Sequence, residues 1–359
     1  MVGTRPEIVK MSPVIRECEK RGIDYFILHT GQHYSYEMDG VFFEQLKLRK
    51  PDYNLAVGSG THAEMTGKMM IEIEKILIKE QVDVVLVEGD TDSVLAAALA
   101  TVKLRIPVKV GHVEAGLRSY DRRMPEEINR VLVDHCSDYL FAPTPKARQI
   151  LINEGIPESK IFVTGNTIVD AIHQIPYEDR VKSYWEFTHQ LQNGYILATV
   201  HRQENVDDRE RFLSILTGLT KVAEYFGMRV IYPVHPRAKR MMAEFDLRRM
   251  LKPCVELIVP CDYRKFLWLE KHASLVLTDS GGVQEECCIL GVPCVTLRDN
   301  TERPETIEVG ANVLAGTSPD KIVECAKIML GKKAIWANPF GDGFAAERII
   351  KVLRRQLDE

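Results

Sequence analysis

Short apolar, β-branched runs alternate along the whole chain with helix-length amphipathic stretches, the pattern of parallel strands wound with helices. In the first half the runs 24–29 (DYFILH), 83–88 (DVVLVE), 107–111 (PVKVG), 138–142 (DYLFA) and 161–164 (IFVT) predict strands. In the second half the strands fall at 195–200 (YILATV), 229–234 (RVIYPV), 255–259 (VELIV), 274–278 (SLVLT) and 293–297 (PCVTL). The stretch 166–190 loses this rhythm and reads as a helix and a connector, which places a domain boundary there. The expected organisation is a Rossmann-like domain over 1–168, a second over 169–340, and a tail over 341–359. The tail's amphipathic helix, after NPFGDG, is expected to cross back onto the first domain.

Composition narrows the function classes. The 359 residues, 45% hydrophobic and 27% charged, suffice for two domains that each bury a core. A net charge of −4 gives no global attraction for nucleic acid or an anionic membrane, so phosphate recognition must rest on local cations. No apolar run reaches the roughly 18 residues of a membrane span, and no signal-peptide core opens the chain, so no membrane partner and a cytoplasmic location are expected. The eight cysteines include no C-x-x-C pair, which favours buried thiols over disulfides or a zinc site.

In open parallel sheets ligands bind beyond the carboxyl ends of the strands, so the residues just after each strand carry the chemistry. In the second half these are His201-Arg202, His235-Pro236-Arg237, Asp279-Ser280-Gly281-Gly282 and the run from Arg298 to Arg303. Their cations and small residues predict an anion site. In LTDSGGVQEE, a helix starting near Val283 would offer free N–H groups to a phosphate, with Ser280 as a donor and the glycines allowing close backbone approach. The same turn also reads as an ordinary tight βα connection.

The first half has carboxylates at the strand ends: Asp90, Glu114, and Glu126 with Glu127 after Met124-Pro125. One of Glu126 and Glu127 is explained by helix capping. A carboxylate at the mouth of a buried strand is unfavourable unless paired or engaged in proton transfer, which singles out Asp90 and Glu114. In GTRPEIVK, Pro6 suits the first helical position, Glu7 the positive helix end, and Arg5 is expected to be extended ahead of the proline and to point outward. Lys10 is near enough to Glu7 for a surface pair, and with Arg5 would bring positive charge to the first domain's side of a cleft. The turn has no G-x-G-x-x-G and the chain no G-x-x-x-x-G-K-[ST], which argues against dinucleotide cofactors and triphosphate hydrolysis. What remains is a charged sugar or nucleotide substrate between two lobes.

The ordered set GTRPEIVK, TGQHY, VEGDTDS, HVEAGLRS, PEEINR, TGNT, HRQEN, YPVHPR, TDSGGVQEE, LGVPCVTLRDNTERPE and NPFGDG resembles the non-hydrolysing UDP-N-acetylglucosamine 2-epimerases over essentially the whole chain. The resemblance implies the GT-B fold, with the parallel sheets of two Rossmann-like domains facing an interdomain cleft. It further implies a homodimer, no redox cofactor or metal, and interconversion of UDP-N-acetylglucosamine with UDP-N-acetylmannosamine. The implied route is elimination of UDP after loss of the C2 proton, to give 2-acetamidoglucal, followed by re-addition. Asp90, Glu114 and Glu126 match the family's catalytic carboxylates and His201 its functional histidine, without fixing which carboxylate removes the C2 proton. Arg5 and Lys10 match residues by the diphosphate, while Ser280, Gly281, Gly282, Glu286, Phe266 and Arg303 match nucleotide-contacting positions.

Gln32, His33, Arg202 and His235 match an activator site for a second UDP-N-acetylglucosamine, with Ser35 a departure from the Gln common there. Cys261 departs from a nucleotide-contacting Gln. Only Met1 and Val2 precede GTRPE where the family has a strand of about six residues, so a stunted central strand is expected. A 2-epimerase acting on a modified UDP-sugar such as a UDP-diacetamido-glucuronic acid, and a GT-B glycosyltransferase, are the alternative readings.

Overall fold

The computed structural model describes residues 1–31, 42–175, 194–332 and 335–358. The chain divides into two compact units, one of Met1–Ile175 with Phe340–Glu359, the other of Pro176–Pro339.

In the first unit the strands are β1 (Leu28–His29), β2 (Tyr53–Asn54), β3 (Val84–Glu88), β4 (Lys109–Val113), β5 (Tyr139–Ala142) and β6 (Ile161–Val163). β3 to β6 form a parallel sheet in sequential order, and β1 and β2 pair separately. Between these sets lies Val2: its N–H donates to Leu28 O, its carbonyl accepts from Thr30, and the Met1 amine donates to Leu86 O. Pairing over 24–29 is thus confined to Leu28–His29, and β2, two residues long, carries no alternation that a sequence pattern could show. The helices of this unit are α1 (Arg5–Arg21), α2 (His62–Glu80), α3 (Asp92–Val102), α4 (Pro125–Cys136), α5 (Pro145–Asn153), α6 (Thr167–Gln174) and, at the chain's end, a helix over Ala345–Asp358. Their starts are written locally: Thr61 and Glu64 form a reciprocal capping box on α2, and proline sits in the first turn of α1, α4 and α5. The C-terminal helix packs on α1 and α6, burying Ile349, Ile350 and Leu353, with Asp170 accepting from the Ala345 and Ala346 N–H groups.

The second unit is a six-stranded parallel sheet of β7 (Tyr195–Thr199), β8 (Arg229–Pro233), β9 (Val255–Ile258), β10 (Leu275–Thr278), β11 (Cys294–Thr296) and β12 (Asn312–Leu314), with the helices α7 (Gln203–Val206), α8 (Arg209–Phe226), α9 (Pro236–Glu244), α10 (Tyr263–His272) and α11 (Gly281–Leu290) among its connections. The order β12-β11-β10-β7-β8-β9 makes the sheet doubly wound, with the switch point between β7 and β10, where such sheets bind ligands. Because both faces are covered, Tyr195, Ile196, Leu197, Ala198, Val276 and Leu277 are all buried. β12 leaves no mark in the sequence pattern, since three residues of mixed polarity give no periodic signal. Each unit therefore carries a parallel sheet in the α/β class expected from the sequence. All eight cysteines are free thiols, with Cys18, Cys287, Cys288, Cys294 and Cys325 buried and Cys136, Cys254 and Cys261 half-buried.

Candidate active site

In the first unit the mouths of β3 and β4 bring a buried lysine among several carboxylates. Lys10, one turn into α1, is buried rather than a surface partner of Glu7. Its ammonium bonds Glu114 Oε2 and lies 3.7 Å from Glu88 Oε1. Asn166, from TGNT, donates to the same Glu114 Oε2 at 3.1 Å while its own Oδ1 caps α6. Glu114 has φ +69°, left-handed backbone that non-glycine residues rarely adopt, and β4 stops there. Strain of this kind persists where the surroundings over-determine it, and here Lys10 and Asn166 hold the side chain.

Glu7 does more than favour a helix end. Its carboxylate accepts from Gly3 N, from Thr4 Oγ1 at 3.0 Å and from Thr91 Oγ1 at 2.6 Å. Burial nevertheless pushes its carboxyl from 4.5 up to about 7. Burial likewise holds Glu88 well above the ordinary carboxyl range, and Glu114, Glu7 and Asp90 add to the rise against the pull of Lys10. Arg5 lies within the first turn of α1, not extended ahead of the proline, and its guanidinium stacks 4.5 Å over the Phe42 ring.

Asp90, in the turn after β3, is paired: Arg130 on α4 donates to its Oδ2 at 2.9 and 2.7 Å and to Glu127 at 2.6 Å. Glu127 also accepts from Ser119 N and Tyr120 N, so it is the structural member of the Glu126–Glu127 pair, and Glu126 stands half-exposed beside it.

The second unit gathers its candidates around the switch point between β7 and β10. His201 and Arg202 follow β7, and their backbone N–H groups donate to fully buried Asp279, which follows β10. Asn205 Nδ2 donates to the same carboxylate at 3.1 Å. Asp279 thus orients the loop that carries the His201 ring. That ring lies 5.5 Å, centroid to centroid, from His235, which caps α9 (Pro236–Glu244) by accepting from Arg237 N.

The basic run ahead of Arg303 contains its own counter-ion. Buried Glu302 meets three guanidiniums: Arg298 at 2.8 Å, Arg303 at 2.6 Å and Arg202 at 3.2 Å. Arg303 further donates to Glu285 Oε1 at 3.0 Å. These arginines are fixed by Glu302 and Glu285 of the protein itself, which suits stabilisation of an anion without reorganisation. The helix α11 (Gly281–Leu290) starts at Gly281 rather than near Val283, with Ser280 as its cap accepting from Val283 N. The two glycines differ. A Cβ on Gly281 would meet Glu302 Oε1 at 2.6 Å and Arg303 Nη1 at 2.7 Å, whereas one on Gly282 would meet nothing within 4 Å. Gly281 therefore admits the arginine cluster, and Gly282 is the one open to a ligand. Glu286 on α11 accepts from Tyr263 Oη at 2.7 Å, and Phe266 packs half-buried against the apolar cluster of Trp268 and Leu269. Gln32, His33 and Ser35 lie outside the described residues.

The structure thus groups Lys10, Glu114 and Asp90 in one unit, and His201, Arg202, Ser280, Gly281, Gly282, Glu286 and Arg303 in the other. Sequence reasoning missed Glu88, Arg130, Asn166 and Glu302 as members of these clusters. Glu88, Asn166 and Glu302 stand inside strand-end motifs and Arg130 inside the helical motif PEEINR, which was the available signal. Among the described residues no group of His, Cys, Asp and Glu is placed to hold a metal ion, and no helix is long and apolar enough to cross a membrane.

Residues 16–354 match the UDP-N-acetylglucosamine 2-epimerase family. The chain is 55% identical to a UDP-N-acetylglucosamine 2-epimerase of Methanocaldococcus jannaschii, over 98% of this chain and 97% of that protein. It is 44% identical to a UDP-2,3-diacetamido-2,3-dideoxy-D-glucuronate 2-epimerase of Pseudomonas aeruginosa, over 99% and 98%. Among solved structures, the M. jannaschii UDP-GlcNAc 2-epimerase in complex with UDP-GlcNAc and UDP superposes with a TM-score of 0.93 at 55% identity, covering 99% of this chain and 98% of that one. A glycosyltransferase from Rickettsia africae, 14% identical over 99% and 98% of the two chains, shares the fold with a TM-score of 0.56.

Proposed function

The chain belongs to the UDP-N-acetylglucosamine 2-epimerase family, and from that premise we propose that it is an isomerase interconverting UDP-N-acetylglucosamine and UDP-N-acetylmannosamine. The observation that carries the chemistry is Glu114, a carboxylate fixed at a strand mouth by the Lys10 ammonium and the Asn166 amide. In the first half-reaction a carboxylate base takes the C2 proton, the C2–H electron pair forms the C1–C2 double bond, and the C1–O bond breaks to release UDP. UDP then adds back at C1 while C2 regains a proton on its opposite face. Asp90, Glu114 and Glu126 are the carboxylates assigned to these transfers, with His201 as the fourth functional group.

The diphosphate is assigned to Arg303, Ser280, Gly281 and Gly282 of the second unit and to Arg5 and Lys10 of the first. Glu286 suits the paired hydroxyls of ribose, since carboxylate oxygens accept hydrogen bonds, and Phe266 lies along the nucleotide. An activator site for a second UDP-N-acetylglucosamine, built on Arg202 and His235 with Gln32 and His33, is part of the same proposal, as are a homodimer, a cytoplasmic location and chemistry without a metal or redox cofactor.

The reading is tested by incubation with UDP-N-acetylglucosamine in deuterium oxide, followed by NMR of the anomeric region. Deuterium at C2 together with the manno epimer is the expected result; no change, even with excess UDP-N-acetylglucosamine as activator, overturns it. The 44% identity to a UDP-2,3-diacetamido-2,3-dideoxy-D-glucuronate 2-epimerase supports a second reading for the substrate. The same experiment with that sugar nucleotide decides between the two.

A further inference from the structure

Lys10 has two carboxylates to serve and is bonded to one of them. Its Nζ bonds Glu114 Oε2, whereas Glu88 Oε1, at 3.7 Å, is beyond hydrogen-bond reach. Asn166 adds a second donor to the same Glu114 oxygen. Glu88, the last residue of β3, is 2% exposed, and its Oε1 has no hydrogen-bond partner. The register places it beside Val113, one residue before Glu114 on the neighbouring strand. Among the described residues the charged groups that act on it most are Lys10 and Glu7 from α1, Glu114 from the end of β4, and Asp90 from its own turn, three of these four being acids. An ionised Glu88 would be a buried anion without a donor, competing with Glu114 for one ammonium.

We propose that Glu88 is a positioning residue for Glu114: held as the neutral acid, it leaves the Lys10 ammonium to Glu114 and so keeps Glu114 the ionised member of the pair. This rests on the assignment of Glu114 as a catalytic carboxylate. Two carboxyls, one ammonium and one retained proton make the buried trio neutral overall. Burial, which raises Glu88 far above an ordinary carboxyl, acts in the same direction. As pH rises, loss of the Glu88 proton would draw Lys10 from Glu114 and spread the ammonium over both acids, so Glu88 sets an alkaline limit on turnover.

The test is Glu88→Gln, which keeps the shape of the neutral acid and cannot ionise, with Glu88→Met as a second neutral side chain of similar volume should the amide not fold. The kcat/KM pH profile is measured by C2 deuterium exchange. In parallel, infrared difference spectra of the free enzyme follow the stretch of protonated carboxyls. The alkaline limb of the profile is expected to move up by about one pH unit or more in the variants, and one protonated-carboxyl band present in the wild type at neutral pH is expected to disappear. A profile that superposes on the wild type overturns the proposal. So does turnover reduced 100-fold or more at every pH in a folded variant, because an ionised Glu88 would then be required, and so does the absence of any lost carboxyl band. If the wild type itself fails to exchange C2, the epimerase reading falls, and the infrared spectra still decide the protonation of Glu88.

Discussion

At the mouths of β3 and β4 in the first unit, Glu88 and Glu114 lie around the Lys10 ammonium, with Glu7 and Asp90 as further acids near Glu88. After β10 and β11 in the second unit, Arg202, Arg298 and Arg303 converge on one carboxylate, Glu302. Both clusters are buried and polar, yet their charge balance runs in opposite directions. Burial makes Glu7 and Glu88 keep protons, and for Glu88 the neighbouring acids add to the rise. Surplus arginines cannot shed theirs and remain fixed positive charge. The first cluster is therefore suited to moving protons and the second to holding a phosphate, which is the division of labour an elimination of UDP requires.

The sharpest way to break this division is Glu114→Gln. If the acid cluster handles protons and the arginine cluster the diphosphate, C2 exchange should fall by about 10²- to 10⁴-fold, while calorimetry still detects UDP binding. Wild-type exchange in that variant would remove the chemical role of the first cluster. Next in size is Arg303→Met, which leaves Glu285 and Glu302 short of a buried partner. Unfolding by denaturant should show a loss of about 3–5 kcal/mol together with weakened UDP binding. Unchanged UDP affinity would mean that the cluster serves folding alone.

The proton-keeping side of the comparison is sharpened by Glu7→Gln. The folded state raises the Glu7 carboxyl from 4.5 to about 7, so its stabilising contribution is complete below pH 4.5 and is lost as pH rises to about 7. A side chain that does not ionise escapes this loss. The wild type should lose about 3 kcal/mol relative to the variant across that window, measured as denaturation midpoints at both ends; a constant difference would contradict a protonated Glu7. The smallest contrast is between the two glycines of the second cluster. Gly281→Ala should push Arg303 and Glu302 aside and cost about 1–3 kcal/mol. Gly282→Ala, with open space around its Cβ, should gain roughly 0.5–1 kcal/mol of helix stability and lower UDP affinity where the ligand approaches the backbone. Equal effects would erase the distinction between them.

The sequence already carried the alternation of strands and helices, because strand and helix periodicities and proline-led helix starts are local properties. It missed β12 and overextended β1 for the converse reason: a two- or three-residue strand is defined by its neighbour, Cys294 for Asn312 and Val2 for His29. The strand-end rule located Asp90, Glu114, His201 and Ser280 without any structure. It could not show that Arg130 pairs Asp90, that Glu127 rather than Glu126 is tied to the backbone, or that Arg5 stacks on Phe42.

The chain's order of apolar and polar residues determined by itself the α/β class and the set of residues delivered to the strand mouths. Only the tertiary structure decided what those residues are. Lys10 became the partner of Glu114, 104 residues away, rather than a surface neighbour of Glu7, and a run that reads as basic acquired Glu302 as its centre. Protonation and pairing depend on burial and on distances between groups remote in sequence, and those exist only once the chain has folded.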